Sequence, residues 1–110
     1  MSRTDAVAAY FAAMRAQDLE AFAALFSDNA EIVWPDGRAV SGIDAIRTTY
    51  ARLFEHPSNN PQPGPVMMAD DCCATEVHSK LPDGSERRTI NVFHFGADDR
   101  FIRMASYRQG

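Results

Sequence analysis

The sequence is poor in positive charge and has no long apolar stretch. Eleven Lys and Arg residues stand against fifteen Asp and Glu residues, which gives a net charge of −4 at pH 7. Proteins that bind nucleic acid through its phosphates usually carry a basic patch that displaces counterions. No apolar run approaches the roughly 20 residues of a membrane-spanning helix, and no charged-then-apolar leader opens the chain. We therefore expect no nucleic-acid partner, no membrane partner and no secretion signal.

Cysteine is scarce as well, and the two cysteines, Cys72 and Cys73, are adjacent. Neighbouring residues of a strand point to opposite faces, so this pair is badly placed to form a disulfide with itself. Free thiols are typical of the reducing cytoplasm, and we predict a cytoplasmic protein. A redox switch made of the vicinal pair is the alternative.

Several catalytic and cofactor motifs are missing. No glycine-rich turn links a strand to a helix, and no serine or cysteine nucleophile motif is present. Glu76, His78 and His94 raise the question of a metal site. Strand alternation points them away from the helices, and His94 pairs nearer Ala74 than His78, so three ligands do not converge. We expect no metal and no cofactor.

What the chain does have is 45% hydrophobic residues in 110, enough for a core without metal or disulfides and typical of one domain, residues 1–110. A capping box of Ser2 and Asp5 opens a first helix. Its apolar face has helical spacing: Val7, Tyr10, Phe11 and Met14. Asp18 caps a second helix, which residues 27–29 end. The face of this helix is Leu19, Phe22, Ala23 and Phe26.

A third helix and a run of strands follow. Residues 31–34 are predicted to form a strand that ends in a Pro-Asp-Gly turn, and Ser41 with Asp44 caps the third helix. The buried stripe of that helix is Ile43, Ile46, Tyr50, Leu53 and Phe54. Residues 56–65 contain four prolines and are predicted to form a loop at the mouth of a pocket.

Four strands are predicted after that loop. They cover residues 66–70, 72–81, 86–96 and 100–108, with hairpin turns at residues 82–84 and 97–99. Helices first and a strand meander afterwards indicate the α+β class, with three N-terminal helices on one face of a mostly antiparallel sheet.

This order of elements resembles the nuclear transport factor 2-like superfamily, in its ketosteroid isomerase and SnoaL-like branch. Residues 8–14, 18–20, 24–30, 34–37 and 41–46 carry the resemblance, and residues 90–95 and the last strand match more loosely. The resemblance implies a cone-shaped, cystatin-like fold, a curved sheet around three helices with an apolar pocket. The same fold hosts isomerases, cyclases, dehydratases, epoxide hydrolases and non-catalytic modules, so its motifs say little about activity.

In ketosteroid isomerases a first-helix tyrosine and a protonated aspartic acid of a late strand donate hydrogen bonds to the dienolate oxygen. The resemblance puts Tyr10 at the first position and Asn91 at the second. An amide NH₂ donates at neutral pH without a shifted pKa, so both positions hold donors. Tyr50 matches a second tyrosine that can donate to the first. The alternative for Tyr10 is a core aromatic with a locally satisfied hydroxyl.

The resemblance fails at the general base. In the isomerases an aspartate precedes the proline of the strand-end turn and carries the proton, and Trp34 stands there in this chain. An indole N–H only donates, so a rate contribution of typically about 10²–10⁴-fold is missing. Asp36 is the remaining candidate base, and a solvent-facing turn carboxylate is its alternative. Trp34 either stacks on a flat ligand or fills the cone.

Three further residues are expected in the pocket wall. Phe93 and Phe95 share a strand face with Asn91, and Met104 falls where the last strand faces the cavity in related proteins. Arg108 falls on the same face, where it either clamps a carboxylate or is a frayed surface arginine.

The outer sheet face, with Ile90, Val92 and His94, indicates a homodimer surface. The prediction is a pocket protein that binds a small apolar ketone or phenol through Tyr10 and Asn91 but lacks the usual aspartate base. Whether it is an isomerase-like enzyme stays open, and a non-catalytic ligand-binding or dimeric interaction module is the alternative. An open cavity separates the pocket proteins from the module, and a base near the ligand separates the enzyme from the binder.

Overall fold

The computed structural model describes residues 1–108. The last two residues of the single domain predicted over 1–110 lie outside this range. Within this range the elements are α1 Arg3–Ala16, α2 Leu19–Ala23, β1 Phe26–Val33, β2 Ala39–Ser41, α3 Ile43–Leu53, β3 Pro61–Met68, β4 Cys72–Lys80, β5 Glu86–Phe95 and β6 Phe101–Arg108. No helix in the described part is long and apolar enough to cross a bilayer.

The strands form one sheet in the order β2-β1-β6-β5-β4-β3. The pair β1–β6 is parallel, and every other neighbouring pair is antiparallel. Register shifts in three of these pairs mark bulges, which bend a sheet. The helices pack against the inner face, where they share one apolar core with the strands. The predicted α+β class is therefore confirmed, with three helices against a curved, mixed sheet.

Local capping signals in the first two helices are confirmed. The Ser2 hydroxyl accepts from the Asp5 amide at 3.0 Å, and the Asp5 carboxylate accepts from the Ser2 amide at 3.2 Å. The Asp18 carboxylate accepts from the Ala21 amide at 3.1 Å and opens α2. All three side chains pair amide groups that the first turn of a helix leaves without partners.

The predicted end of the second helix was wrong. The helix stops at Ala23, and residues 27–29, expected to terminate it, lie inside β1. Phe26 pairs with Phe101 of β6, and the Phe101 amide donates to the carbonyl of Leu25 at 2.9 Å. Pairing with a strand 75 residues further along the chain outweighed the helical spacing, because it buries Phe26 completely.

Two other boundaries also differ from the prediction. β3 begins at Pro61, inside the segment predicted to be a loop, and it lies at the edge of the sheet. Edge strands tolerate proline, because one side of the strand needs no ladder donors. Gly42, with φ 89°, precedes α3 without a side-chain cap, because Ser41 belongs to β2 and pairs with Glu31. Leu53, expected in the buried stripe, is 45% exposed.

The core beneath the site is aromatic. The Tyr10 ring centroid lies 4.9 Å from that of Phe11, 5.6 Å from that of Phe22 and 5.0 Å from that of Phe93. The contacts with Phe11 and Phe93 are edge-to-face and that with Phe22 is tilted. Aromatic contacts of this kind stabilise a core beyond the area they bury. They fix Tyr10 between α2 and β5, so its position in the site is set by packing.

Candidate functional site

A cavity of about 840 Å³ lies between the helices and the inner face of the sheet. Its wall comes from α1, α3, the turn after β1, the segment before β3 and inward positions of β4, β5 and β6. The volume lies within the range of about 300–1,000 Å³ that is typical of small-molecule sites. Pro35, Asp36 and Arg108 are exposed members of the wall, so the cavity opens to solvent on their side.

Tyr10 lies in the cavity wall and is 3% exposed. Burial, and to a lesser degree the nearby Tyr50, raises the pKa of Tyr10 well above its ordinary value of 10. The hydroxyl therefore keeps its proton at neutral pH and is available as a donor.

Asn91, on β5, is 6% exposed and also lines the cavity. Its Oδ1 is buried without a hydrogen-bond partner in residues 1–108. The hydroxyl of its cross-strand neighbour Thr75 does not donate to this oxygen, because it donates to the carbonyl of Gly64 at 3.0 Å. A buried polar atom without a partner costs about 1–3 kcal/mol and calls for an explanation. Since the oxygen is the enclosed end of the amide, the NH₂ is the end that a ligand in the cavity can reach.

Tyr50, in the middle of α3, is 2% exposed and lies between two aromatic rings. Its ring centroid is 4.4 Å from that of Phe22 and 6.3 Å from that of Trp34, and both ring pairs are stacked. Burial raises the pKa of Tyr50, while hydrogen bonding from Trp34 opposes the rise. Tyr50 and Tyr10 line the same cavity. Donation from Tyr50 to Tyr10 stays a prediction.

Trp34 follows β1 directly and is half-buried in the cavity wall. Its backbone closes the turn: its amide donates to the Arg38 carbonyl at 2.8 Å, and its carbonyl accepts from the Gly37 amide at 2.9 Å. Gly37 has φ 89°, a conformation that favours glycine. The indole stacks on Tyr50 and is part of the wall of an open cavity. Stacking of the indole on a flat ligand stays a prediction.

Asp36 lies in the turn, at the exposed rim of the cavity. Its carboxylate accepts from the Arg38 amide at 3.0 Å and from the Arg38 guanidinium at 2.7 Å. The hydrogen bond from the Arg38 amide is the larger cause of the lowered pKa of Asp36. A carboxylate that holds its charge this firmly is a weaker proton acceptor. The structure thus gives Asp36 a role in the turn, and its role as a base stays a prediction.

Of the three residues expected in the wall, only Met104 lines the cavity. Phe93 and Phe95 face inward as predicted, but they are 0% and 3% exposed and belong to the core beneath. Their ring centroids lie 4.8 and 5.4 Å from that of Phe101. The Tyr10 ring meets Phe93 edge-to-face at 5.0 Å between centroids, and Tyr10 lines the cavity whereas Phe93 does not.

Several wall residues were not singled out as site residues from the sequence: His56, Ser79, Arg87, Thr89 and Ser106. Period-two alternation places Thr89 and Arg87 on one face with Asn91, Ser79 with Val77, and Ser106 with Met104, so this signal was available for four of them. His56 lies in the segment 56–65 that was predicted at the mouth of the pocket.

The residues weighed as metal ligands lie on the outer face. Glu76 and His78 alternate with the buried Thr75, Val77 and Ser79, as expected. Among the described residues, no three His, Cys, Asp or Glu side chains are grouped to hold a metal ion.

A family model described as SnoaL-like domain matches residues 7–104. A cystatin fold protein from Novosphingobium aromaticivorans is 23% identical, with a TM-score of 0.85 over 98% of this chain and 99% of that one. An NTF2-like protein of unknown function from Mesorhizobium loti is 18% identical, with a TM-score of 0.84 over 98% of this chain and 91% of that one.

A third similar structure is that of SalBIII, an epoxide hydrolase/cyclase-like enzyme with a role in pyran ring formation in the polyether salinomycin. It is 18% identical, with a TM-score of 0.80 over 97% of this chain and 90% of that one. At such identities the likeness of the three structures shows the fold alone. Among curated proteins, none matches the sequence.

Proposed function

Because this chain belongs to the SnoaL-like domain family of NTF2-like proteins, whose fold commonly forms ligand pockets and isomerase or cyclase sites, we propose that it binds a small, largely apolar molecule through one polar oxygen. The ligand class is a flat ketone or phenol. The oxygen meets Asn91 and Tyr10, and the body of the ligand lies against Trp34.

The observation that carries the proposal is the Asn91 amide. It occupies an inward position of β5 between Thr75 and Ser106, with its oxygen buried and unpartnered in residues 1–108. A leucine would fill that position without leaving a polar atom unpaired. A polar group that lowers stability at a cavity wall is best explained by what it does for a ligand, here donation to an oxygen.

Tyr10 supports the same geometry. It lines the same cavity as Asn91, and its phenol is protonated at neutral pH, so its hydroxyl can donate to a ligand oxygen. Two donors in a site of low polarity bind a partially negative oxygen more strongly than they would in water.

Binding without turnover is supported better than isomerisation. Trp34 cannot accept a proton, and Asp36 is engaged by Arg38 and has a lowered pKa. An isomerase-like reaction would need Asp36 or another group to move protons between two carbons of the ligand. The likeness to SalBIII keeps catalysis of another kind as the second candidate.

Calorimetric titration with 2-naphthol and with naphthalene tests the proposal. We expect 2-naphthol to bind more tightly than naphthalene, and Asn91→Leu and Tyr10→Phe each to weaken 2-naphthol roughly three- to tenfold, in line with one neutral hydrogen bond. Neither substitution should weaken naphthalene. Asn29→Ala, at an exposed position of β1, is the control and should change nothing. Equal affinity for both probes in the unmodified protein would refute a role for the ligand oxygen.

We also propose that the protein is a cytoplasmic homodimer. Ile90 and Tyr107 pair across β5 and β6 on the outer sheet face and are 41% and 53% exposed, which leaves an apolar surface for a second copy. Both cysteines are free, in keeping with a reducing compartment. Sedimentation analysis of Tyr107→Glu tests the dimer, which a purely monomeric unmodified protein would rule out.

A further inference from the structure

The cavity wall carries a charge opposite in sign to that of the chain. Its charged members are Arg38, Arg87, Arg108 and a single acid, Asp36, while the chain as a whole has a net charge of −4. Asp36 is bound to Arg38 at 2.7 Å. The excess positive charge therefore resides in Arg87 and Arg108.

These two arginines are neighbours on the inner face of the sheet. Arg108 of β6 pairs with Thr89 of β5, and Arg87 is two positions from Thr89 on the same face. Diagonal neighbours of this kind are about 7–8 Å apart at Cα, within reach of one another's long side chains. Neither arginine forms an ion pair within residues 1–108.

The arginines lie above Asn91 in the same wall. Ser106 pairs with Asn91, and Arg108 follows two residues later on β6, a rise of about 7 Å along the strand. Arg87 is four residues from Asn91 on β5, about 13 Å along that strand. Thr89 and Ser106 fill the positions between and also line the cavity. The wall thus changes from a neutral donor at depth to two guanidinium groups at the opening.

We infer that the ligand is an anion: a flat apolar acid whose carboxylate is held by Arg87 and Arg108 while its keto or phenol oxygen meets Asn91. This inference rests on the proposed function and adds the charge and the orientation of the ligand. Guanidinium groups bind carboxylates through paired hydrogen bonds, which fixes the plane of the ligand as well as its position. The opening of the cavity then discriminates between acids and neutral molecules of the same shape.

The test compares 2-naphthol with 6-hydroxy-2-naphthoate, which has the same rings and hydroxyl plus a carboxylate at the far end. Calorimetric titrations are run on the unmodified protein and on Arg87→Gln, Arg108→Gln and Arg88→Gln. Arg88 is the matched control, because it neighbours Arg87 in β5 but points to the opposite face. Circular dichroism checks that each variant is folded.

We expect the unmodified protein to bind the naphthoate about tenfold more tightly than 2-naphthol, since charged hydrogen bonds are stronger than neutral ones. This preference should shrink in Arg87→Gln and in Arg108→Gln, persist in Arg88→Gln and weaken as salt is added. Affinity for 2-naphthol should stay unchanged in Arg88→Gln, because Arg88 does not line this cavity.

Two other outcomes are distinct from one another. If 2-naphthol binds but the naphthoate binds no better, or keeps its advantage in both Arg87→Gln and Arg108→Gln, the anion inference is overturned and the proposed function stands. If neither probe binds the unmodified protein, the proposed function fails and this inference fails with it.

Discussion

Replacement of Asn91 by leucine should make the protein more stable, although it removes a hydrogen-bonding group from the interior. The side chains have similar shapes, and Asn91 is 6% exposed, with Thr75 and Ser106 beside it. Its buried Oδ1 has no partner among the described residues, which costs about 1–3 kcal/mol. Leucine removes that cost and adds apolar contact, so we expect a gain of about 1–2 kcal/mol in the free energy of unfolding.

Thr75→Val is the matched control, because Thr75 pairs with Asn91 across β4 and β5 and is 0% exposed. The difference is that the Thr75 hydroxyl is bonded to the Gly64 carbonyl. Its removal leaves that carbonyl short of a partner, so Thr75→Val should lower stability by about 1 kcal/mol. The two substitutions act on adjacent buried polar groups, yet their effects should have opposite signs.

Urea unfolding and thermal melts, both without ligand, measure these changes. For a domain of this size 1 kcal/mol corresponds to roughly 4 °C, so Asn91→Leu should melt roughly 4–8 °C higher. A loss of stability in Asn91→Leu comparable to that in Thr75→Val would show that the Asn91 amide is satisfied in the folded protein. Asn91 would then give no reason to expect a ligand at this position.

Three further outcomes are expected. Trp34→Asp places a carboxylate at the end of β1 and should raise the rate of isomerisation of a β,γ-unsaturated 3-ketosteroid by about 10²-fold over the unmodified protein. A similar rise in Trp34→Asn would show that the unmodified protein lacked space in the cavity and not a base. Tyr10 and Tyr50 have raised pKa values, so above about pH 10 the unfolded chain releases protons that the folded one keeps. These two tyrosines should therefore leave the free energy of unfolding unchanged below pH 10. Above pH 10 each should lower it by roughly 1 kcal/mol per pH unit. Urea midpoints that stay constant up to pH 11 would contradict the burial of the two hydroxyls. Tyr107→Glu should shift the sedimentation coefficient to that of a monomer, while Tyr107→Phe should not.

Local chemistry accounts for what the sequence predicted well. The capping residues of the first two helices depend on contacts within three or four positions, and Ser2, Asp5 and Asp18 all act as expected. Period-two alternation likewise placed Asn91 and Phe93 on the inner face of β5. Such signals are complete within a short stretch of chain, so no tertiary information is needed to use them.

Long-range contacts decided the rest. Phe26 continues the helical spacing of α2, but its pairing with Phe101 makes it the first residue of β1. Pro61 looks like part of a loop until its strand is known to lie at the sheet edge. Alternation also does not show how deep a residue lies: Phe93 faces inward and contacts Tyr10, yet it does not line the cavity.

The site shows the same division. Alternation can place Asn91 and Arg87 on one face, but only the packed structure shows that the Asn91 oxygen lacks a partner. Asp36 was a candidate base by its position, and its bonds to Arg38 became known only from the fold of the turn. Whether a side chain can bind a ligand or accept a proton depends on the groups around it, and many of these groups come from other parts of the chain.

The proposed contact between the ligand oxygen and Asn91 can be observed in the side-chain amide signals of the ¹⁵N-labelled protein, because they report on the Asn91 NH₂ itself. On titration with 2-naphthol, the Asn91 pair should shift in a saturable manner at the calorimetric affinity, while the pair of the exposed Asn29 stays in place. Binding that leaves the Asn91 pair unmoved while other cavity residues shift would contradict the claim that this amide receives the ligand oxygen.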